Sequence, residues 1–205
     1  MLTELRPALA LLLVLTVLTG LAYPLGLTVL AHVTFPWQAQ GSLIEKNGQI
    51  VGSARIGQTF TSPVYFWGRP SATTAADPND PTQTLPAPYN AASSSGSNAA
   101  PSSLALVERI TQTAEALRAA HPDRHDPVPV DLVTTSASGL DPDLTPAAAL
   151  WQVERVAKAR GLPVETLRVF VTRHIDGRLF GIIGEPRVNV LALNLALDQA
   201  WPLTK

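Results

Sequence analysis

Two serine-rich stretches carry the groups best suited to hold an anion. The first, SSSGSN at residues 93–98, sets Ser95, Gly96, Ser97 and Asn98 in succession. Consecutive backbone N–H groups around a glycine can form a nest for a phosphate or carboxylate. The second, TTSASGLDPD at 134–143, offers Ser136, Ser138 and Gly139 for the same work. Hydroxyls and backbone N–H groups would be the donors there. Both stretches have a plainer reading beside the chemical one. The first also reads as a flexible loop. The second has a glycine and Asp141-Pro142, both turn formers, and reads equally well as a connection into the following helix. Asp131, Asp141 and Asp143 oppose an anion unless a cation bridges it. They suit a basic partner surface as well.

The catalytic inventory is otherwise thin. The four histidines are His32, His121, His125 and His174. His121 and His125 lie in AAHPDRHDP, which reads as an exposed linker after a helix. His174 reads as a surface residue at a strand end. A metal site needs ligands that converge on ordered backbone, and none is expected here. There are no cysteines, which excludes disulfides and thiolate metal sites. No G-x-x-x-x-G-K-[ST], G-x-S-x-G, H-E-x-x-H or post-strand G-x-G-x-x-G motif occurs. An aspartate followed by Lys-Thr-Gly-Thr, the phosphorylation site of P-type pumps, is also missing. The chain is not expected to hydrolyse anything by itself, nor to hold a cofactor tightly. A formal net charge of −1 gives no basis for nucleic-acid capture.

A third group is aromatic. Tyr65, Phe66 and Trp67 precede Arg69-Pro70. This cluster reads either as the edge of a core or as a docking surface, because aromatic and Arg side chains are favoured at interface hot spots.

The elements that must position these groups begin with an anchor. From Pro7 to Ala31 no residue is charged. Roughly 25 helical residues reach about 37 Å, enough to cross a hydrocarbon core of about 30 Å with some tilt. A cleaved signal peptide would have a shorter apolar core and a small-residue cleavage site. The reading is therefore a retained transmembrane helix over 7–31, with 1–6 cytoplasmic. Gly20 and Pro24 interrupt it. Gly20 offers a close-approach surface for a partner helix, or marks a kink that faces lipid. Arg6 precedes the span, and the next Lys or Arg after it is Lys46. That bias favours an external C-terminal domain, and membrane lipid is an expected partner of the chain.

Beyond the anchor, Asn47-Gly48 between apolar runs predicts a hairpin over 43–56. Residues 71–103 lack an apolar period and read as a long irregular loop. Leu104, Val107, Ile110, Ala114 and Leu117 recur at helical spacing. VPVDLVTT, 128–135, reads as a strand. Thr145 as N-cap, Pro146 at the first helical position and Gly161-Leu162-Pro163 as a stop delimit a further helix. Residues 166–185 read as a second hairpin turning at Asp176-Gly177. PRVNVLALNLALDQAW reads as a helix capped by Asn189. The whole is α+β: one N-terminal transmembrane helix, then one mixed α/β extracytoplasmic domain over 40–205. That domain is expected to hold a small antiparallel sheet and about three helices.

RIGQTF, YFWGRPSA, YNAASSSGSN, PVPVDLVTTSASGLDPDLTPAAA, RVAKARGL and GEPRVNVLALNLALD stand in order behind the single span. Together they closely resemble the C subunit of the Kdp-type potassium-transporting ATPase, from the anchor to about Asp198. The resemblance implies an accessory subunit of a bacterial inner-membrane potassium uptake complex. Its partners there are a channel-like subunit, a P-type ATPase subunit and a small single-span peptide. It implies a role in assembly and as a catalytic chaperone that raises the ATPase subunit's affinity for ATP. It also implies nucleotide binding, with a Ser/Gly stretch likened to the signature loop of ABC transporters. Here Ser95 precedes Gly96 where family members more often show paired glycines. An external domain would not meet cytoplasmic ATP, so any ATP contact is expected through the complex. By motif and spacing, Gly20, Tyr65, Phe66, Trp67, Arg69, Asp131 and Asp141 are the candidate docking residues. The competing expectation is a membrane-anchored domain that binds a nucleotide or another anion independently of a channel.

Overall fold

A computed structural model describes residues 2–203, which form two compact units, one up to Ser53 and one from Ala54. In the first unit, α1 (Leu2–Val17) passes through a π turn at Leu18–Ala22 into α2 (Tyr23–Thr34). The stretch Thr3–Thr34 is long and apolar enough to cross a membrane. Leu12, Val14 and Val29 along it are 60%, 60% and 65% exposed. The helix outruns the apolar run at both ends because Thr3, Glu4, Arg6 and His32 are all compatible with helical backbone.

The π turn has a local cause. Pro24 has no N–H to give, and its ring would collide with the carbonyl four residues back. Widening by one residue relieves the conflict, and Tyr23 N–H reaches Leu18 O instead. Gly20 lies inside this wide turn.

After the short α3 (Pro36–Ala39), Trp37 Nε1 donates to Leu43 O at 3.0 Å and Ser53 Oγ donates to Gly41 O at 2.7 Å. β1 (Leu43–Lys46) and β2 (Gln49–Ser53) then form the expected hairpin. Asn47 and Gly48 take φ of 55° and 76°, the positive pair that a type I′ turn requires.

The second unit is a helical core with short ladders. β3 (Thr74–Ala76) pairs with β4 (Thr84–Pro86) inside the otherwise irregular 71–103 segment. Its helices are α4 (Leu104–Ala120), α5 (Pro146–Trp151), α6 (Val153–Arg160), α7 (Val164–Arg173) and α8 (Val190–Ala200). β5 (Asp143–Leu144) and β6 (Val188–Asn189) pair antiparallel. Leu117, Trp151, Val156, Leu167, Val171 and Leu197 are among the side chains of one buried cluster. Capping follows sequence. Thr145 Oγ1 accepts Ala148 N–H, and Asn189 Oδ1 accepts Ala192 N–H.

The mixed α/β architecture matches expectation, but three elements differ. The helix expected from Thr145 to Gly161 is divided at Gln152 into α5 and α6, so with α7 the described residues of this unit hold five α-helices rather than about three. Residues 128–135 are not a strand. Pro129 leads into a single 3₁₀ turn at Val130–Leu132, and Thr134 Oγ1 folds back onto Val130 O. Residues 166–173 are not one arm of a hairpin. Val164, Leu167 and Val171 stand at helical spacing behind Pro163 and turn inward as α7, where Leu167 and Val171 are fully buried. Packing there overrides the β preference of Val, Thr and Phe. A hairpin does follow over 176–187, but its turn lies at Phe180–Gly181 rather than Asp176-Gly177.

Candidate functional site

The two serine stretches meet. Ser95 N–H donates to Ser138 O at 2.9 Å, and Ser94 Oγ donates to the same oxygen at 3.1 Å. The approach is so close that it needs two glycines. A Cβ on Gly96 would lie 2.8 Å from Ala137 O, and one on Gly139 would lie 2.5 Å from Ser95 O. Gly139 also has φ of +67°, which disfavours any side chain.

This contact ties several of the candidate groups into the two loops. Ser136 Oγ accepts Gly139 N–H at 2.9 Å, and Ser138 Oγ accepts Leu140 N–H at 3.2 Å. Ser71 Oγ donates to Gly139 O at 2.7 Å. Ser95 Oγ is turned toward Ala72 O at 3.4 Å. Ser97 and Asn98 are exposed, Asn98 with φ of +48°. Of the seven candidate anion-loop residues, these two alone lie open to solvent. The other five form the seam between two loops.

Tyr89 completes the seam. Its hydroxyl donates to Arg69 O at 2.6 Å, and its own N–H donates to Ser71 Oγ at 2.9 Å. Burial, reinforced by the Asp141 carboxylate, pushes its phenol up to about 12. Arg69 crosses to the same loop and pairs with Asp141 at 2.9 Å. Two of the expected docking charges thus neutralise each other. Asp141 Oδ1 further accepts Asp143 N–H at 3.0 Å. Asp131 accepts Thr145 N–H at 2.7 Å at the start of α5. Burial raises the Asp143 carboxyl above its ordinary range, although Arg187 sits 3.2 Å away.

The aromatic cluster is a spine held by side chains. Asn194 and Gln152, both almost wholly buried, bracket the backbone of Phe66 and Trp67. Trp67 N–H donates to Gln152 Oε1 at 2.8 Å, and Gln152 Nε2 donates back to Trp67 O at 3.0 Å. Asn194 does the same for Phe66. Arg155 donates to the carbonyls of Pro63 and Tyr65, and Arg160 donates to that of Val64. Phe66 is 0% exposed and belongs to the core. Tyr65 is partly covered, its hydroxyl donating to Asp198 at 3.0 Å. Trp67 carries the Arg155 guanidinium 4.0 Å over its ring.

His121 is buried rather than exposed in a linker. Its Nδ1 meets Leu117 O at 2.7 Å, while Nε2 accepts Arg155 Nε–H at 2.9 Å. That pair fixes a neutral ring, and burial pulls its pKa down to about 4. His125 is exposed, so these two histidines do not converge. A groove of about 370 Å³ opens nearby, lined by Phe60, Trp67, Arg69, Tyr89 and Leu117, among others. It is mostly apolar with one cation at its edge, and it fits an apolar side chain of a partner better than a phosphate. The sequence missed Gln152, Asn194 and Arg155. The available signal was polar residues set among apolar positions at the α5–α6 junction, in α6 and in α8.

The described residues thus hold one apolar helix long enough to cross a membrane and an α+β unit whose two serine loops are bonded to each other. The family model for "KdpC: K+-transporting ATPase, c chain" matches residues 5–199. A potassium-transporting ATPase KdpC subunit of Rhodopseudomonas palustris is 65% identical over 200 residues, covering 98% of this chain and 100% of that protein. Proteins of the same name from Bradyrhizobium diazoefficiens and Methylobacterium nodulans are 62% and 61% identical. Each covers 98% of the relative, with 98% and 97% of this chain. The chain belongs to the KdpC family and is a subunit of a K+-transporting ATPase.

Proposed function

We propose that the chain is a non-catalytic subunit that stabilises assembly of an ATP-driven, high-affinity potassium uptake complex. Its partners are the channel-like potassium-translocating subunit, the P-type ATPase subunit and a small single-span subunit. In this reading it also raises the affinity of the ATPase subunit for ATP. The match to the c-chain family over residues 5–199 carries the proposal. The seam between the serine loops supports a structural rather than a nucleotide-holding role for Ser95, Gly96, Ser136, Ser138 and Gly139. Any effect on ATP is then transmitted through the partner, with no cofactor held tightly by this chain.

The complex is purified from cells that express the partner subunits with and without this chain. Potassium-stimulated ATP hydrolysis is then followed against ATP concentration. The expected result without the chain is loss of assembled complex and a several-fold higher KM for ATP in what remains. Full assembly with an unchanged KM overturns the proposal. Saturable ATP binding by the purified full-length chain alone supports the independent nucleotide-binding domain instead.

The second unit is proposed to lie on the external face of the inner membrane, with the N-terminus in the cytoplasm. The charge bias of Arg6 before the span supports this. Ala92 is exposed and the chain has no cysteine. In Ala92→Cys cells with a permeabilised outer membrane, an impermeant maleimide should label the thiol. Labelling only after lysis reverses the orientation.

A further inference from the structure

After α7 the chain runs out into a finger over 176–187. Asp176 and Arg187 exchange backbone hydrogen bonds in both directions, at 2.8 and 3.0 Å. Leu179 and Ile183 do the same at 2.9 and 3.0 Å, and Gly181 N–H closes onto Arg178 O. Arg178 pairs with Glu185 at 2.7 Å across the stem. The finger is ordered by these bonds, yet its tip is apolar. Leu179, Phe180, Ile182 and Ile183 are 59%, 85%, 77% and 57% exposed. They add nothing to the core of the second unit. Phe180 also sits at φ of +53°, where Gly or Asn would be less strained. A turn that holds four large apolar side chains out in solvent around Gly181 is the mark of an interaction site.

We propose that this tip seats in an apolar socket on another membrane subunit of the transport ATPase, a reading that rests on the assembly role above. The charges on the finger argue against lipid as the occupant. Asp176, Arg178, Glu185 and Arg187 sum to zero and are paired among themselves and with Asp143. No cationic surplus is left for anionic headgroups. Residues 176–187 also lack the Trp and Tyr that favour the membrane interface. Shape argues against a second copy. A convex tip entering a groove of a like chain makes a heterologous contact, which propagates unless it closes into a ring.

The tip offers a few hundred Å², less than the roughly 800 Å² per partner of a lasting interface. It does not need to act alone. An apolar helix that shares a membrane with the partner raises the effective concentration of the tip. The backbone bonds of the finger pre-order it, so little freedom is lost on docking.

The test introduces Ile182→Cys into the cysteine-free chain. Alkylation by a maleimide is timed in the purified complex and in the purified chain, both in the same detergent. The expected result is at least ten-fold slower alkylation in the complex. A companion variant, Phe180→Ser with Ile182→Ser, should lose at least ten-fold of its retention on the complex while melting like the parent chain. Equal alkylation in both samples overturns the proposal. So does equal protection of the lone chain in phosphatidylethanolamine/phosphatidylglycerol vesicles, which assigns the tip to lipid. Ready oxidation of the lone Ile182→Cys chain to a disulfide-linked dimer assigns it to a second copy. If the parent chain is retained and the serine variant is retained equally, only the finger fails. If the parent chain is itself not retained, the assembly reading fails and takes the finger with it.

Discussion

The side-chain amide of Asn194 stands in for a neighbouring β-strand at Phe66. Its Oδ1 accepts the Phe66 N–H at 2.9 Å, and its Nδ2 donates to the Phe66 carbonyl at 2.9 Å. Asn194→Ala leaves both buried backbone groups without partners. The expected loss is about 2–5 kcal/mol, read from urea unfolding of the full chain in mild detergent. Asn194→Asp separates the two bonds, since a carboxylate still accepts but no longer donates. A neutral outcome for Asn194→Ala would show that the spine is held by other means.

The glycine seam makes a second prediction. Gly139→Ala meets Ser95 O and a strained backbone together. It should cost about 2–4 kcal/mol, the sum of overpacking and conformational strain. Ser97→Ala, at an exposed position, should stay within about 0.5 kcal/mol. Thermal melts of both variants check this. The reverse ranking would return these loops to ligand binding.

A third prediction concerns acid. His121 is held neutral by burial, with its pKa drawn from 6.5 to about 4. The unfolded chain takes up a proton below the ordinary value while the folded chain resists until the depressed one. Stability contributed by the neutral ring is therefore present above about pH 6.5 and declines as pH falls toward about 4. The loss approaches roughly 3 kcal/mol at about 1.4 kcal/mol per pH unit. His121→Gln should lower stability at pH 7 and flatten that slope. An unchanged slope in the variant assigns the acid sensitivity elsewhere.

Tyr89 gives the alkaline counterpart. Its phenol is pushed from 10 up to about 12. The neutral form is the stabilising one, so its contribution is complete below pH 10 and is lost as pH rises toward about 12. Tyr89→Phe leaves Arg69 O without this donor and should cost about 1–3 kcal/mol. The Tyr65 phenol is also raised, by burial and by its bond to Asp198, so tyrosinate absorbance of the folded parent should show a phenol titrating at about 12 that Tyr89→Phe lacks while the Tyr65 signal stays.

Local signals were legible in the sequence where one residue type decides the outcome. Asn47-Gly48 fixed a turn, while Thr145-Pro146 and Asn189 opened helices, because each acts within four residues of itself. The distant partnerships were not legible. Nothing near Phe66 announces that Asn194 will supply its missing strand, and a buried amide looks like any other amide in a helix. The β-branched residues of 164–173 concealed a helix whose support comes from the core. The two serine stretches were found, and their meeting was not. Contact at 2.9 Å between Ser95 and Ser138 depends on what the intervening residues do. That contact turned apparent ligand loops into a joint.

The wide turn at Leu18–Ala22 alters how the membrane helix can be read. One extra residue in a turn advances everything after it by about 100° relative to an unbroken α-helix. A helical wheel drawn through α1 and α2 as one repeat therefore assigns the wrong neighbours on one side of Pro24. Thr19 and Thr28, nine positions apart, would stand about 180° apart by uninterrupted counting, and the wide turn changes that angle. A mate for this span must carry a compensating step in its own contour, or touch only one half.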